Sequence, residues 1–188
     1  MTTRLELEER RRQLMAVGAE LFATRPYDEI AIGHIAAAAG ISKGLLYHYF
    51  GSKRLFYVAV IREAAEAMLA ATDPPGDLGP HEALEWGVNA YLAHIAHHGQ
   101  GYVALMRGGI GTDDEVRAIL DANRDAFADR LLDGLEGEPG PVVRLAVRGY
   151  VGYVEAVSVA WLESGAELSR EAVRELLVGA FSAVPAGG

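Results

Sequence analysis

The sequence predicts an all-α protein of about nine helices, a three-helix N-terminal unit followed by a longer helical body. Three observations carry this. Chain breakers stand like joints at Arg25-Pro26-Tyr27, Gly40, Gly51, Asp73-Pro74-Pro75-Gly76 through Pro80, Gly99 to Gly101, Gly108 to Gly111, Gly137 to Pro141, and Ser164-Gly165. Between the joints, apolar residues recur at three- and four-residue steps. No segment alternates as a strand would: the clearest β-branched run, Val142-Val143, opens a segment of more than twenty residues, far beyond strand length in a small domain.

Taken in order, the expected helices are 4–24, 31–39, 43–49, 52–72, 80–98, 101–108, 112–135, 140–164 and 169–184. Leu14, Val17, Gly18, Leu21 and Phe22 line one face of the first. Ile32, Ile35, Ala36 and Ala39 do so in the second, and Leu46 and Phe50, four apart, point the third inward. Val116, Ile119, Leu120, Phe127, Leu131 and Leu135 stripe the seventh. Ser42, Ser52, Thr112 and Ser169 precede helices and are expected as N-caps, Thr112 reinforced by Asp113-Asp114-Glu115 at the positive helix end.

Composition narrows the class. Hydrophobic residues make up 51% of the 188 residues, which excludes a disordered chain. No apolar run has the roughly 18 to 20 residues of a membrane span, and the polar start is not a secretory signal. Cys is absent, which removes disulfides and thiolate metal sites and fits a cytoplasmic protein. The net charge of −9 is unevenly spread: residues 1–54 carry net +2 and the remainder −11. Such a chain presents one end to phosphates while its body is repelled from them.

Residues 31–50 hold a short helix, a turn at Gly40 and a second short helix, the layout of a helix-turn-helix. Gly40 can take positive φ. With Leu46 and Phe50 inward, Lys43, Gly44, Tyr47 and His48 are left outward. Gly44 permits close backbone approach to bases, and Lys43 can donate to guanine or to phosphate. Tyr47, Tyr49 and Lys53 can bond phosphate oxygens. The run Arg12 to Phe22, then Tyr27, Ile35-Ala36, Gly40-Ile41-Ser42-Lys43-Gly44 and Leu46-Tyr47-His48-Tyr49-Phe50-Gly51-Ser52-Lys53 closely resembles the DNA-binding domain of the TetR family of transcriptional regulators, over about residues 8–60.

The resemblance implies a homodimer whose two readers sit in successive major grooves of a palindromic operator on double-stranded DNA, a repressor released by a small molecule. By position it makes Lys43 and His48 base readers, Gly44 the point of close approach, and Tyr47, Tyr49 and Lys53 phosphate anchors, beside Ser42 and Leu45. Three departures stand out. Ile30-Ala31 replace the usual Thr-Thr, Gly33 stands where a polar base reader is common, and Leu45 replaces a Thr. With fewer polar contacts, more weight falls on main-chain amides, His34 and the Arg10, Arg11, Arg12 cluster.

The expected division is 1–53 for DNA binding and 54–188 for ligand binding and dimerisation, with the boundary inside the fourth helix. Helix 140–164 has one broad apolar side (Val143, Val147, Tyr150, Val151, Val154, Val157, Trp161) and a second of small residues (Gly149, Gly152, Ala156, Ala160). With the stripe Val173, Leu176, Leu177, Ala180, Phe181 and Val184 on 169–184, this predicts an isologous four-helix homodimer interface. An effector, largely apolar or aromatic, would meet some of Trp86, Tyr91, His94, Tyr102, Met106, Arg107, Asn123, Phe127, Tyr150, Tyr153 and Glu155; Arg107 has Asp113 and Asp114 as alternative partners.

Two other classes compete. A metal-dependent enzyme would use His94, His97 and His98 with a further ligand such as Glu85, but no catalytic motif accompanies them, so neither metal nor cofactor is expected and the chain is not read as an enzyme. A sequence-indifferent architectural DNA protein would need more positive charge than this one carries.

Overall fold

Proline and glycine cut the chain into helices where the joints stand. The computed structural model describes residues 4–107, 113–165 and 167–185. Among them are nine α-helices and no strand: α1 (Arg4–Thr24), α2 (Ile32–Ala38), α3 (Lys43–Phe50), α4 (Lys53–Ala71), α5 (Pro80–His97), α6 (Gly99–Met106), α7 (Asp114–Asp133), α8 (Pro141–Glu163) and α9 (Arg170–Phe181), with one 3-10 turn at Tyr27–Glu29. Ser42 and Ser169 cap α3 and α9, each hydroxyl accepting an amide three residues on, and Ser52 Oγ accepts from Leu55 N. Thr112 lies outside the described residues. The cap seen at α7 is Asp113, whose Oδ1 accepts from the amides of Glu115 and Val116. Pro141 and Pro80 occupy first helical positions, where a missing N–H costs nothing.

The chain groups into two compact units, residues 1–64 with 100–119, and residues 65–99 with 120–188. In the first, Leu14, Phe22, Ile30, Ile35, Leu46, Phe50, Phe56 and Tyr57 form the core. Phe22, Tyr27, Phe56 and Tyr57 make a connected aromatic cluster, and burial pushes the Tyr57 hydroxyl up to about 12. Gly18 and Gly101 approach ring and backbone atoms that a side chain would meet. A Cβ on Gly18 would lie 2.4 Å from the Phe56 ring, and one on Gly101 would lie 2.4 Å from Ala23 Cα.

In the second unit, α9 packs on α5 and α8. Val143, Val147 and Val151 of α8 meet Ala128, with Phe127, Leu131, Leu132, Leu135 and Val184 around them. Tyr150 donates its hydroxyl to Leu177 O at 3.0 Å and its ring meets Phe181 edge-on. Arg130 donates to the carbonyls of Leu69 and Thr72, satisfying acceptors at the last turn of α4 that have no helical partner. Leu176, expected in the apolar stripe of α9, is 49% exposed.

Candidate nucleic-acid interface

The interface begins with how the chain turns between α2 and α3. Gly40 takes φ +63°, and Ile41 N donates back to Ala36 O at 2.9 Å, closing the end of α2 in a left-handed turn that favours glycine. Ser42 then starts α3. The N-cap of α2 is Ala31, which supplies no side-chain acceptor, as the replacement of Thr-Thr implied.

Leu46 and Phe50 are buried, and the Phe50 ring packs edge-on against Phe56 with centroids 4.6 Å apart. This fixes the rotation of α3 about its axis. Lys43, Gly44, Leu45, Tyr47 and His48 are exposed as a consequence, while Tyr49 is half-buried. Gly51, at φ +75°, ends the helix and donates to Tyr47 O.

Gly44 sits in open space. Its φ is not positive, and a Cβ there would meet nothing nearer than Ser42 Oγ at 3.9 Å. Gly44 lies in the first turn of α3, and among the described residues no close contact uses the missing side chain. The space in front of α3 at Gly44 is therefore open.

Lys53 has an internal role that the sequence reading did not foresee. Its Nζ donates to Tyr27 O at 2.6 Å and lies 3.8 Å from the Tyr27 ring centroid, and burial lowers its pKa. The ammonium ties the 3-10 turn to the first turn of α4. The Arg10-Arg11-Arg12 cluster also divides: Arg10 donates to Gln13 and Arg12 pairs with Glu9, while Arg11 lies 5.1 Å from the Phe50 ring. Arg54, which the sequence reading passed over, donates to both carboxylate oxygens of Asp113 and to Glu115. Glu115 also accepts from Arg62.

The residues proposed for an effector fall in different places. Tyr102, Met106 and Arg107 belong to the first unit; Trp86, Tyr91, His94, Asn123, Phe127, Tyr150, Tyr153 and Glu155 belong to the second. Tyr91 is buried edge-on to Phe127. Asn123 donates to Ala65 O at 3.0 Å, and Glu155 accepts from Arg124. Trp86 and Tyr153 are each 37% exposed. Asp113 is engaged by Arg54 and Asp114 by Arg117. The rings of His94 and His97 each lie within 5 Å of His98, and burial lowers the pKa of His94 and His98. Glu85, suggested as a further metal ligand, accepts from Arg174 at 3.1 Å instead. Among the described residues no group of three His, Cys, Asp or Glu is arranged to hold a metal ion, and no helix is long and apolar enough to cross a membrane.

A helical unit in which α2, a glycine turn and the Ser42-capped α3 follow in succession is a helix-turn-helix. Residues 14–60 match the family described as bacterial regulatory proteins, tetR family, and residues 80–184 match the tetracyclin repressor-like C-terminal domain. The chain belongs to the TetR family and is a transcriptional regulator of that type. It is 34% identical to a TetR-family transcriptional regulator of Streptomyces coelicolor, with a TM-score of 0.87 over 94% of this chain and 80% of that one. It is 29% identical to the HTH-type transcriptional activator FasR of Mycolicibacterium smegmatis, over 97% of this chain and 87% of the relative. The transcriptional regulator FadR from Bacillus subtilis, solved in complex with stearoyl-CoA, shares the fold at 19% identity and a TM-score of 0.73, over 90% of this chain and 98% of that one.

Proposed function

We propose that this chain is a homodimeric repressor that reads a palindromic operator with one α3 per protomer and is released by a small molecule bound in the second unit. The observation that carries the DNA reading is the outward row Lys43, Gly44, Leu45, Tyr47 and His48 on a helix whose opposite side is anchored by Leu46 and Phe50. In this reading Lys43 and His48 meet base edges, Leu45 meets a thymine methyl, and Ser42, Tyr47, Tyr49 and Lys53 hold phosphates.

Dimerisation is supported by a second exposed surface. Gly149, Gly152 and Gly179 have nothing within 4 Å of a built Cβ, and Ala156 and Ala160 are exposed beside them. Val142 and Leu145 are 69% and 73% exposed on the same helix. Apolar and small side chains facing outward along α8 and α9 suit close packing against a second copy.

The effector belongs to the second unit in this reading. Ser158 is buried there with no hydrogen-bond partner among the described residues, and leaving a buried hydroxyl unsatisfied costs about 1–3 kcal/mol. A mainly apolar molecule with one polar group for that hydroxyl would suit such a site. A long-chain acyl thioester, the ligand class of the FadR structure, is the first probe to try. The relative described as an activator favours a second reading in which the bound chain recruits rather than blocks transcription.

The test is a binding selection from fragments of the source genome, read at low and physiological salt. Enrichment of a two-fold symmetric sequence, weakened steeply by salt, supports the proposal. Equal recovery of all fragments supports an architectural protein instead.

A further inference from the structure

Gly33 and Lys43 come together across the helix-turn-helix. Gly33 is in the first turn of α2 and Lys43 opens α3. A Cβ built on Gly33 would lie 2.7 Å from Lys43 Cε and 3.1 Å from its Nζ. The end of the lysine side chain therefore crosses the bare face of Gly33, in space that any other residue would occupy. Neither α2 nor α3 has an acidic residue in its first turn, and among the described residues Lys43 has no ion-pair or hydrogen-bond partner. No carboxylate among the described residues holds it there.

We infer that Gly33 is a specificity-determining residue for operator reading, acting through Lys43: the missing side chain sets where the Lys43 ammonium can go, and so which base it meets. The inference rests on the proposed role of α3 in reading DNA. The two residues divide one task. Gly33 forgoes a base contact of its own, and Lys43 uses the vacated volume. Because the crowded atoms are the far end of a flexible side chain, a substitution at Gly33 displaces the lysine without straining the backbone. The fold should tolerate it while the reading changes.

The test compares binding selections from a randomised duplex library for the wild type, Gly33→Ala, Lys43→Met and the double variant, alongside thermal melts. Methionine keeps an aliphatic stem over Gly33 and removes the charge. The wild-type melting midpoint should be retained in Gly33→Ala. Its selected sequences should change at the base positions altered by Lys43→Met, with discrimination there falling about five-fold or more. In the Lys43→Met background, Gly33→Ala should change the preference no further. Unchanged preference in Gly33→Ala overturns the inference, as does an additive change in the double variant or a loss uniform over all sequences. If Gly33→Ala does not fold, Gly33→Ser is measured in the same way. Lys43→Met binding the wild-type sequences with wild-type preference also overturns it. A wild-type chain that selects no sequence overturns the operator reading itself, and this inference with it.

Discussion

Arg54 grips Asp113 with two hydrogen bonds, at 2.5 and 2.8 Å, across 59 residues of sequence. The same carboxylate caps α7, so one side chain starts one helix and holds the first turn of another. The Arg54 hydrogen bond is the main reason that the Asp113 pKa is lowered. A carboxylate depressed by folding adds stability that is complete above its unfolded value near 3.8 and is lost as pH falls through its folded value. Acid melts should therefore show wild-type stability declining below about pH 4, and Asp113→Asn should flatten that decline while lowering the midpoint at neutral pH. Parallel acid curves for the two proteins would refute this role.

His94 gives the opposite end of the pH scale. Burial, then the charges of His98 and His97, lower its pKa, so the unfolded chain takes up a proton more readily than the folded one. Stability should fall as pH drops from about 6.5 through the depressed value. Melts from pH 8 to 5 should show this slope in the wild type and a shallower one in His94→Gln.

Gly101 abuts the backbone of α1, and backbone atoms cannot step aside as a lysine tip can. Gly101→Ala should lose stability by about 1–3 kcal/mol from overpacking, less the roughly 0.5–1 kcal/mol that alanine returns to a helix. Urea titration measures the difference. Gly149→Ala, facing open space, should by contrast be neutral or stabilising within one protomer.

The surface of α8 can be tested separately from folding. Gly152→Glu should leave the helical circular-dichroism signal intact and shift the sedimentation mass from dimer to monomer at micromolar concentration. A wild-type chain already monomeric there would contradict the interface.

Helix positions were readable because burial imposes a period: on the broad apolar side of α8, Val143, Val147, Tyr150, Val151 and Trp161 are buried and Val154 and Val157 half-buried, while Gly149, Gly152, Ala156 and Ala160 are exposed. The turn and the recognition helix were readable because Gly40, Ser42, Leu46 and Phe50 act locally. The pairings of Arg54 with Asp113, Lys53 with Tyr27 and Arg130 with the end of α4 were not. Each joins residues 26 to 61 apart, and the rotation of one packed helix against another, which decides them, leaves no periodic trace. Gly33 looked like a lost contact in the sequence; its place beneath the end of Lys43 emerges only from how α2 lies against α3. Lys53 also needs a refined expectation. Lys53→Ala should weaken all DNA sequences alike and lower the melting midpoint too, since the Tyr27 contact goes with it.

In the proposed function, α3 reads DNA at close range through the bare backbone of Gly44. Fluorescence anisotropy with a selected operator duplex and a scrambled one, for the wild type and Gly44→Ala, tests it most directly. The wild type should bind the operator alone tightly, lose affinity steeply between 50 and 200 mM salt, and far exceed a Gly44→Ala protein that melts no lower than wild type. Equal wild-type affinity for both duplexes, or undiminished binding by Gly44→Ala, would contradict it.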